Sequence, residues 1–105
     1  MKIYVAGPYS KGDAAVNVRN AILAGEALAL KGHTPFISHL AHFWHLIAPH
    51  DIEFWYAYDM TWLKECDALI RLPGESLGAD KEEAFALLHH YYIYHSIDEV
   101  PRRQA

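Results

Sequence analysis

With 105 residues, 52% of them hydrophobic and 21% charged, the chain has the size and balance of one ordinary globular domain, taken here as residues 1–105. A formal net charge of −4 with the histidines neutral, and no Lys/Arg stripe, excludes a surface that coats a nucleic-acid polymer, while one small phosphorylated ligand stays compatible. Met1 leads straight into an apolar strand pattern without a basic leader or an apolar span of about 18 residues, so neither secretion nor membrane insertion is indicated and a cytoplasmic location is expected.

Residues 2–6 are short, β-rich and bounded by Gly7-Pro8, which reads as a central strand buried on both faces. From Asp13 to Leu30, Val18, Ile22, Gly25 and Ala29 recur at helical spacing, with Asp13 as N-cap and Gly32 as stop signal. Thr34 to Ser38 forms a second strand with its proline near the start. Between His39 and Pro49 the histidines and the proline interrupt any long run, predicting a loop that contains a short helix. Asp51 to Cys66 is the next helix, with Ile52, Trp55, Tyr56, Leu63 and Cys66 facing inward. Phe54, Tyr58, Met60 and Trp62 make it apolar nearly all round, an excess that implies a second subunit or a stacking ligand. Residues 68–72 give a third strand, 80–90 a third helix, 91–94 a fourth strand and 96–100 a terminal helical turn, before a tail over 101–105 that reads as mobile. The single cysteine, Cys66, reads as a small buried hydrophobe. Strands alternating with helices predict an α/β fold: a small doubly wound, Rossmann-like or flavodoxin-like three-layer sandwich on a parallel sheet of four to five strands.

In such sheets ligands bind at the carboxyl ends of strands. Two strands here, 2–6 and 68–72, end in Gly/Pro/Ser chemistry followed by a helical pattern. After the second stands Ser76-Leu77-Gly78-Ala79-Asp80-Lys81-Glu82-Glu83. Asp80 with Glu83 can form a capping box, which is the purely structural reading of this acidic cluster. The same helix-start field would keep a carboxylate ionised, as a nucleophile at a sugar's anomeric carbon must be. Since Glu83 has the capping job available, Glu82 is the better nucleophile candidate.

The pattern Ser76-x-Gly78-x-x-x-Glu82-x-x-x-Ala86, preceded by Asp59-x-x-Trp62-Leu63-x-x-Cys66-Asp67 and by the strand end Tyr4-Val5-Ala6-Gly7, resembles the nucleoside 2-deoxyribosyltransferase-like superfamily, and within it the 2'-deoxynucleoside 5'-phosphate N-hydrolases. The resemblance spans residues 2–86 and rests most on the serine, glycine and glutamate spacing. It implies cleavage of the bond between base and deoxyribose, with Glu82 attacking the anomeric carbon and water releasing the sugar from the covalent intermediate. It implies that Asp59 binds the sugar or helps protonate the departing base, that Tyr4 lies near the nucleophile, and that Ser76 and the Gly7 to Gly12 loop, with Ser10, contact phosphate. The chain departs from the N-hydrolases in carrying Pro8 and Ser10 where they have a serine and an arginine. On the residues alone, Asp59 also reads as a solvated helix aspartate and Tyr4 as a core aromatic.

His39, His42, His45 and His50 raise a zinc reading, but their spacings of three, three and five miss the i, i+4 pattern of helical ligands. We expect no metal or other cofactor, with His39, Phe43 and Trp44 lining the pocket where aromatic faces stack on a base. His89, His90 and His95 read as a helix end and strand flank. The leading expectation is a (deoxy)nucleoside or nucleotide N-glycoside hydrolase, with a deoxyribosyltransferase, a non-catalytic nucleotide-binding module and a histidine-centred metalloenzyme as alternatives. The expected partners are a small nucleoside or nucleotide and a second copy of the chain, as a homodimer or larger homo-oligomer.

Overall fold

Strand β1, Lys2–Ala6, alternates its side chains between two apolar layers, and that alternation organises the molecule. Ile3 and Val5 pack with Ala21, Ala24, Leu28 and Val100 on one side. Tyr4 and Ala6 pack with Leu63, Cys66, Leu69, Ala79 and Ala86 on the other. A strand covered on both faces needs parallel neighbours and crossover helices. The computed structural model, which describes residues 1–103, has this arrangement. Strands β2 (Thr34–Ile37), β3 (Ala68–Arg71) and β4 (Tyr92–Tyr94) join β1 in one parallel sheet of order β2-β1-β3-β4. Ile3 faces Pro35 on one side and Ala68 on the other. The helices are α1 (Ala14–Leu30), α2 (His42–Ile47), α3 (Ile52–Leu63) and α4 (Leu77–Leu88), with short 3-10 turns at Ser38–Ala41 and Ile97–Glu99. Among the described residues no helix is long and apolar enough to cross a membrane.

Helix α1 begins where expected, the Asp13 carboxylate accepting from the amides of Ala15 at 2.9 Å and Val16 at 3.2 Å. Its inward face is rotated from the expected one: Val18, Ala21, Gly25 and Leu28 are buried, while Ile22 and Ala29 face solvent. Small residues at 21, 24 and 25 let α1 approach the sheet closely. Helix α4 starts three residues earlier than its acidic cluster suggests. Ser76, not Asp80, is the N-cap, its Oγ accepting from the Ala79 amide at 3.1 Å, so the Asp80/Glu83 capping box does not form. Asp80 instead bonds Arg71 at 2.9 Å, and Glu83 faces Arg71 and His95. In α3, Leu63 is buried but Ile52 is 56% exposed, contrary to its expected inward place. Cys66 lies in the core beneath α3, its thiol pushed up to about 11 by burial.

The tail is docked through residue 103 rather than loose. Pro101 O lies 2.6 Å from His33 Nε2, and the Arg103 amide donates to Lys31 O at 2.8 Å. The expectation of mobility for 104–105 falls outside the described residues.

The sheet order makes β1 and β3 the topological switch point: the chain leaves β1 toward β2 and leaves β3 toward β4. A crevice therefore opens between the loops that follow β1 and β3. Two glycines hold these loops together. A Cβ on Gly7 would meet Leu72 Cβ at 2.9 Å, and Gly74, at φ +118°, would meet Pro8 Cγ at 2.6 Å.

Candidate active site

The crevice is a cavity of about 430 Å³, of a size that takes a small organic ligand. Loop 7–11, the 3-10 turn after β2, α2, α3 and the start of α4 each contribute to its wall. Glu82 and Asp59 both line it, from α4 and α3 respectively, so two helices bring together carboxylates that lie 23 residues apart. Tyr4, fully buried in β1, stands behind Glu82 and donates its hydroxyl to Oε2 at 2.5 Å. Burial, with the charges of Glu82 and Asp59 beside it, holds the phenol well above its ordinary range, so Tyr4 remains a donor. Its ring stacks on Phe36, which stacks on Trp62, fixing the phenol's direction.

Both carboxyls are pushed toward neutrality. Burial raises Glu82 to about 8; Asp59 adds to the rise, while the Tyr4 hydrogen bond and the Arg71 charge oppose it. Burial alone raises Asp59 to about 7, and its Oδ1 has no hydrogen-bond partner. Asp59 is thus no solvated helix aspartate. The expectation that a helix-start field keeps Glu82 ionised is overturned. Glu82 sits in the second turn of α4, beyond the reach of that field, and desolvation dominates. Two such groups in one cavity titrate as a pair near neutral pH, and the proton held there belongs to both. Within the pair Glu82, at about 8, holds a proton more tightly than Asp59, at about 7, and the Tyr4 donor narrows that difference by stabilising the charged form of Glu82.

Gly7, Ser10, Ser76, Gly78 and His39 also line the cavity, as the sequence suggested. The Ser76 hydroxyl oxygen is engaged in capping α4. Gly78 has a packing reason as well: a Cβ there would meet the Tyr56 ring at 3.1 Å. Three expected residues do not line the cavity. Gly12 turns away at φ +83° with open space around it. Phe43 is 70% exposed on the outer face of α2. Trp44 backs the wall, its ring edge-on to Trp55 at 4.9 Å.

The aromatic wall is instead Trp55 and Tyr56, with Tyr9 and the histidines. Tyr9 Oη lies 2.7 Å from His42 Nδ1, latching the first loop to α2, and Trp55 Nε1 donates to His45 Nδ1 at 2.8 Å. His50 stacks on Phe54 with centroids 3.6 Å apart. Sequence reasoning placed Trp55 and Tyr56 in the core. The signal that could have moved them was already visible, since a helix apolar nearly all round has more faces than one core can cover. Among the described residues no three His, Cys, Asp or Glu side chains converge as a metal-binding group. Among the described residues Lys11 is the one Lys or Arg in the cavity wall; its ammonium stands 3.9 Å from Glu75.

The fold has a counterpart among solved structures. The 2-deoxyribosyltransferase of the psychrotolerant bacterium Bacillus psychrosaccharolyticus superposes with a TM-score of 0.67, over 89% of this chain and 69% of that one, at 18% sequence identity. The chain shares the fold of that enzyme. No protein-family model and no curated protein matches its sequence. In that fold the switch-point crevice between β1 and β3 is where Tyr4, Asp59 and Glu82 meet.

Proposed function

We propose that this protein hydrolyses the N-glycosidic bond of a (deoxy)nucleoside or its 5'-monophosphate through a covalent glycosyl-Glu82 intermediate. The observation that carries the reading is the Tyr4–Glu82 hydrogen bond in a cavity whose wall also holds the buried, unpartnered carboxyl of Asp59. A retaining glycosidase needs one ionised and one protonated carboxyl at the same pH, and a pair pushed up near neutrality supplies both. Glu82 attacks C1', the C1'–N bond breaks with its electrons passing to the base, and Asp59 delivers the proton that neutralises the leaving nitrogen. Water then attacks C1' of the ester, returning its proton to Asp59 and freeing the Glu82 carboxylate. Trp55 and Tyr56 offer aromatic faces for the base.

The fold it shares with an enzyme described as a biocatalyst for nucleoside synthesis supports nucleoside chemistry. Transfer to a second base is the close alternative. Exposed Phe43, Leu46, Ile47 and Ile52 on α2 and α3 support a homodimer, measurable by light scattering in solution. The deciding experiment incubates the protein with nucleosides and nucleoside monophosphates, in ribo and deoxy forms, and separates free base by chromatography. Release of base and sugar in equal amounts, unchanged when a second free base is added, establishes hydrolysis. Exchange of one base for another assigns a transferase, and no release from any substrate removes the enzymatic reading.

A further inference from the structure

Two buried polar atoms of cavity-lining residues have no hydrogen-bond partner, His39 Nδ1 and Asp59 Oδ1. The first has a chemical identity fixed by its own ring. His39 stands on the 3-10 turn after β2 and is 5% exposed. Its Nε2 lies 2.9 Å from the carbonyl oxygen of Pro8. A carbonyl only accepts, so Nε2 carries the ring proton and donates it. Burial holds the imidazole below its ordinary pKa, against the opposing pull of the Pro8 and Gly7 backbone, so the second nitrogen is not protonated in turn. Nδ1 is left as a bare lone pair, able only to accept. An unpaired buried acceptor costs about 1–3 kcal/mol, and in a site wall a ligand can recover that cost. Only a donor N–H or O–H, from a ligand or from water, can do so. An ionised phosphate oxygen would set lone pair against lone pair.

We propose that His39 Nδ1 is a specificity-determining acceptor that takes a hydrogen bond from a neutral donor of the bound nucleoside, a sugar hydroxyl or an exocyclic base amine, and rejects a phosphate oxygen at that place. The inference rests on the nucleoside reading above and narrows it. The unpartnered Asp59 oxygen is a second unsatisfied polar atom of the residues in the same wall. The latch between Tyr9 and His42 and the bond from His39 to the Pro8 carbonyl tie the first loop to the 3-10 turn and the start of α2, holding the acceptor in place.

The test uses Glu82→Gln protein, which binds without turning over, and calorimetric titration with matched ligands. Adenosine against inosine and cytidine against uridine, as deoxynucleosides, read the base amine; 3'-deoxy and 5'-deoxy analogues of the tightest binder read the two sugar hydroxyls. We expect one missing donor to weaken binding about tenfold. That penalty should vanish when His39→Phe is added and return with His39→Asn, whose Oδ1 restores an acceptor at the Nδ1 position. The pair that responds names the donor. Penalties that stay the same in His39→Phe and His39→Asn overturn the inference, even where the wild-type protein cleaves nucleosides. Nitrogen-15 spectra of the wild-type imidazole are expected to show the proton on Nε2; a proton on Nδ1 overturns it without any ligand. Failure of every nucleoside to bind overturns both this inference and the proposed function.

Discussion

Two buried histidines stand at opposite edges of the sheet with the same tautomer and different fates. At the amino edge, His33 Nε2 donates to Pro101 O at 2.6 Å and its Nδ1 lies 2.9 Å from the Met1 amino nitrogen, so both ring atoms are paired. At the carboxyl edge, His39 Nε2 donates to Pro8 O and its Nδ1 is unpaired. The contrast extends to the neighbours. Lys31 Nζ donates to two carbonyls, of Ile97 at 2.6 Å and Val100 at 2.7 Å, and the Lys2 amide donates to the Asp67 carboxylate at 2.9 Å. Across the sheet, Asp59 keeps an unpartnered oxygen and Glu82 sits in a site that resists its ionisation. The amino edge is satisfied and closes the fold. The carboxyl edge holds unsatisfied groups in reserve, which is the usual mark of a site whose partners arrive with a ligand.

The sharpest way to break this comparison is at Glu82. Replacing it with Gln should lower base release by about three orders of magnitude or more, as loss of a covalent nucleophile does. The same change should stabilise the protein. The folded-state pKa of Glu82, about 8, lies above its ordinary 4.5, so the folded protein holds the proton more tightly. Stability is then fully present below about 4.5, declines as pH rises toward 8 and is lowest above it. Glu82→Gln should therefore raise the free energy of unfolding most above pH 8, by an amount on the order of a few kcal/mol. A variant that is inactive and no more stable there would show that the carboxylate is not strained by its surroundings.

Next in size are the two groups that act on Glu82 in opposite senses. The Tyr4 hydroxyl lowers its pKa and Asp59 raises it. Tyr4→Phe should move the acid limb of the rate profile to higher pH and slow turnover by roughly 10- to 100-fold, the loss of one charge-assisted hydrogen bond. Asp59→Asn should move the same limb to lower pH and remove the alkaline limb, because the proton donor is gone. Profiles measured with one substrate across pH 5–10 check both; shifts in the same direction would separate Asp59 from the pair.

Smaller still is the effect at the amino edge. His33→Phe leaves the Pro101 carbonyl without its donor and the Met1 nitrogen without its acceptor, so it should cost about 1–3 kcal/mol of stability in denaturant titration. Base release per folded molecule should stay as in the wild type. A fall in activity at full folding would mean that the two edges are coupled.

How much of this was legible follows from where each signal lives. The parallel sheet, the Asp13 cap and the buried central strand are local patterns, written within a few residues, and all three form. The motif spacing placed Glu82, Ser76 and Gly78 on one cavity together with Asp59. The start of α4 was misplaced because an acidic cluster and a serine both cap helices, and the choice was settled by Arg71, which draws Asp80 away at 2.9 Å. The ionisation of Glu82 could not be read at all. It depends first on burial and then on Tyr4, Asp59 and Arg71, which arrive from three other elements. The aromatic wall was hidden for a related reason: Phe43, Trp44 and Trp55 look alike in sequence, and which one lines the cavity is settled only in the fold, where Trp44 packs edge-on behind Trp55 and Phe43 faces outward.

The smallest expected effect separates two glycines that a sequence treats alike. Gly12 and Gly78 were both expected to touch substrate. Gly12 lies at φ +83° with nothing within 4 Å of a built Cβ, whereas Gly78 would place its Cβ 3.1 Å from the Tyr56 ring in the cavity wall. Gly12→Ala should therefore cost about 1 kcal/mol through its backbone and leave KM unchanged. Gly78→Ala should push Tyr56 and raise KM several-fold at nearly unchanged stability, since the neighbour that must give is a side chain lining an open space. If KM rises for Gly12→Ala instead, the first loop reaches the ligand after all and the wall runs farther along it than the cavity indicates.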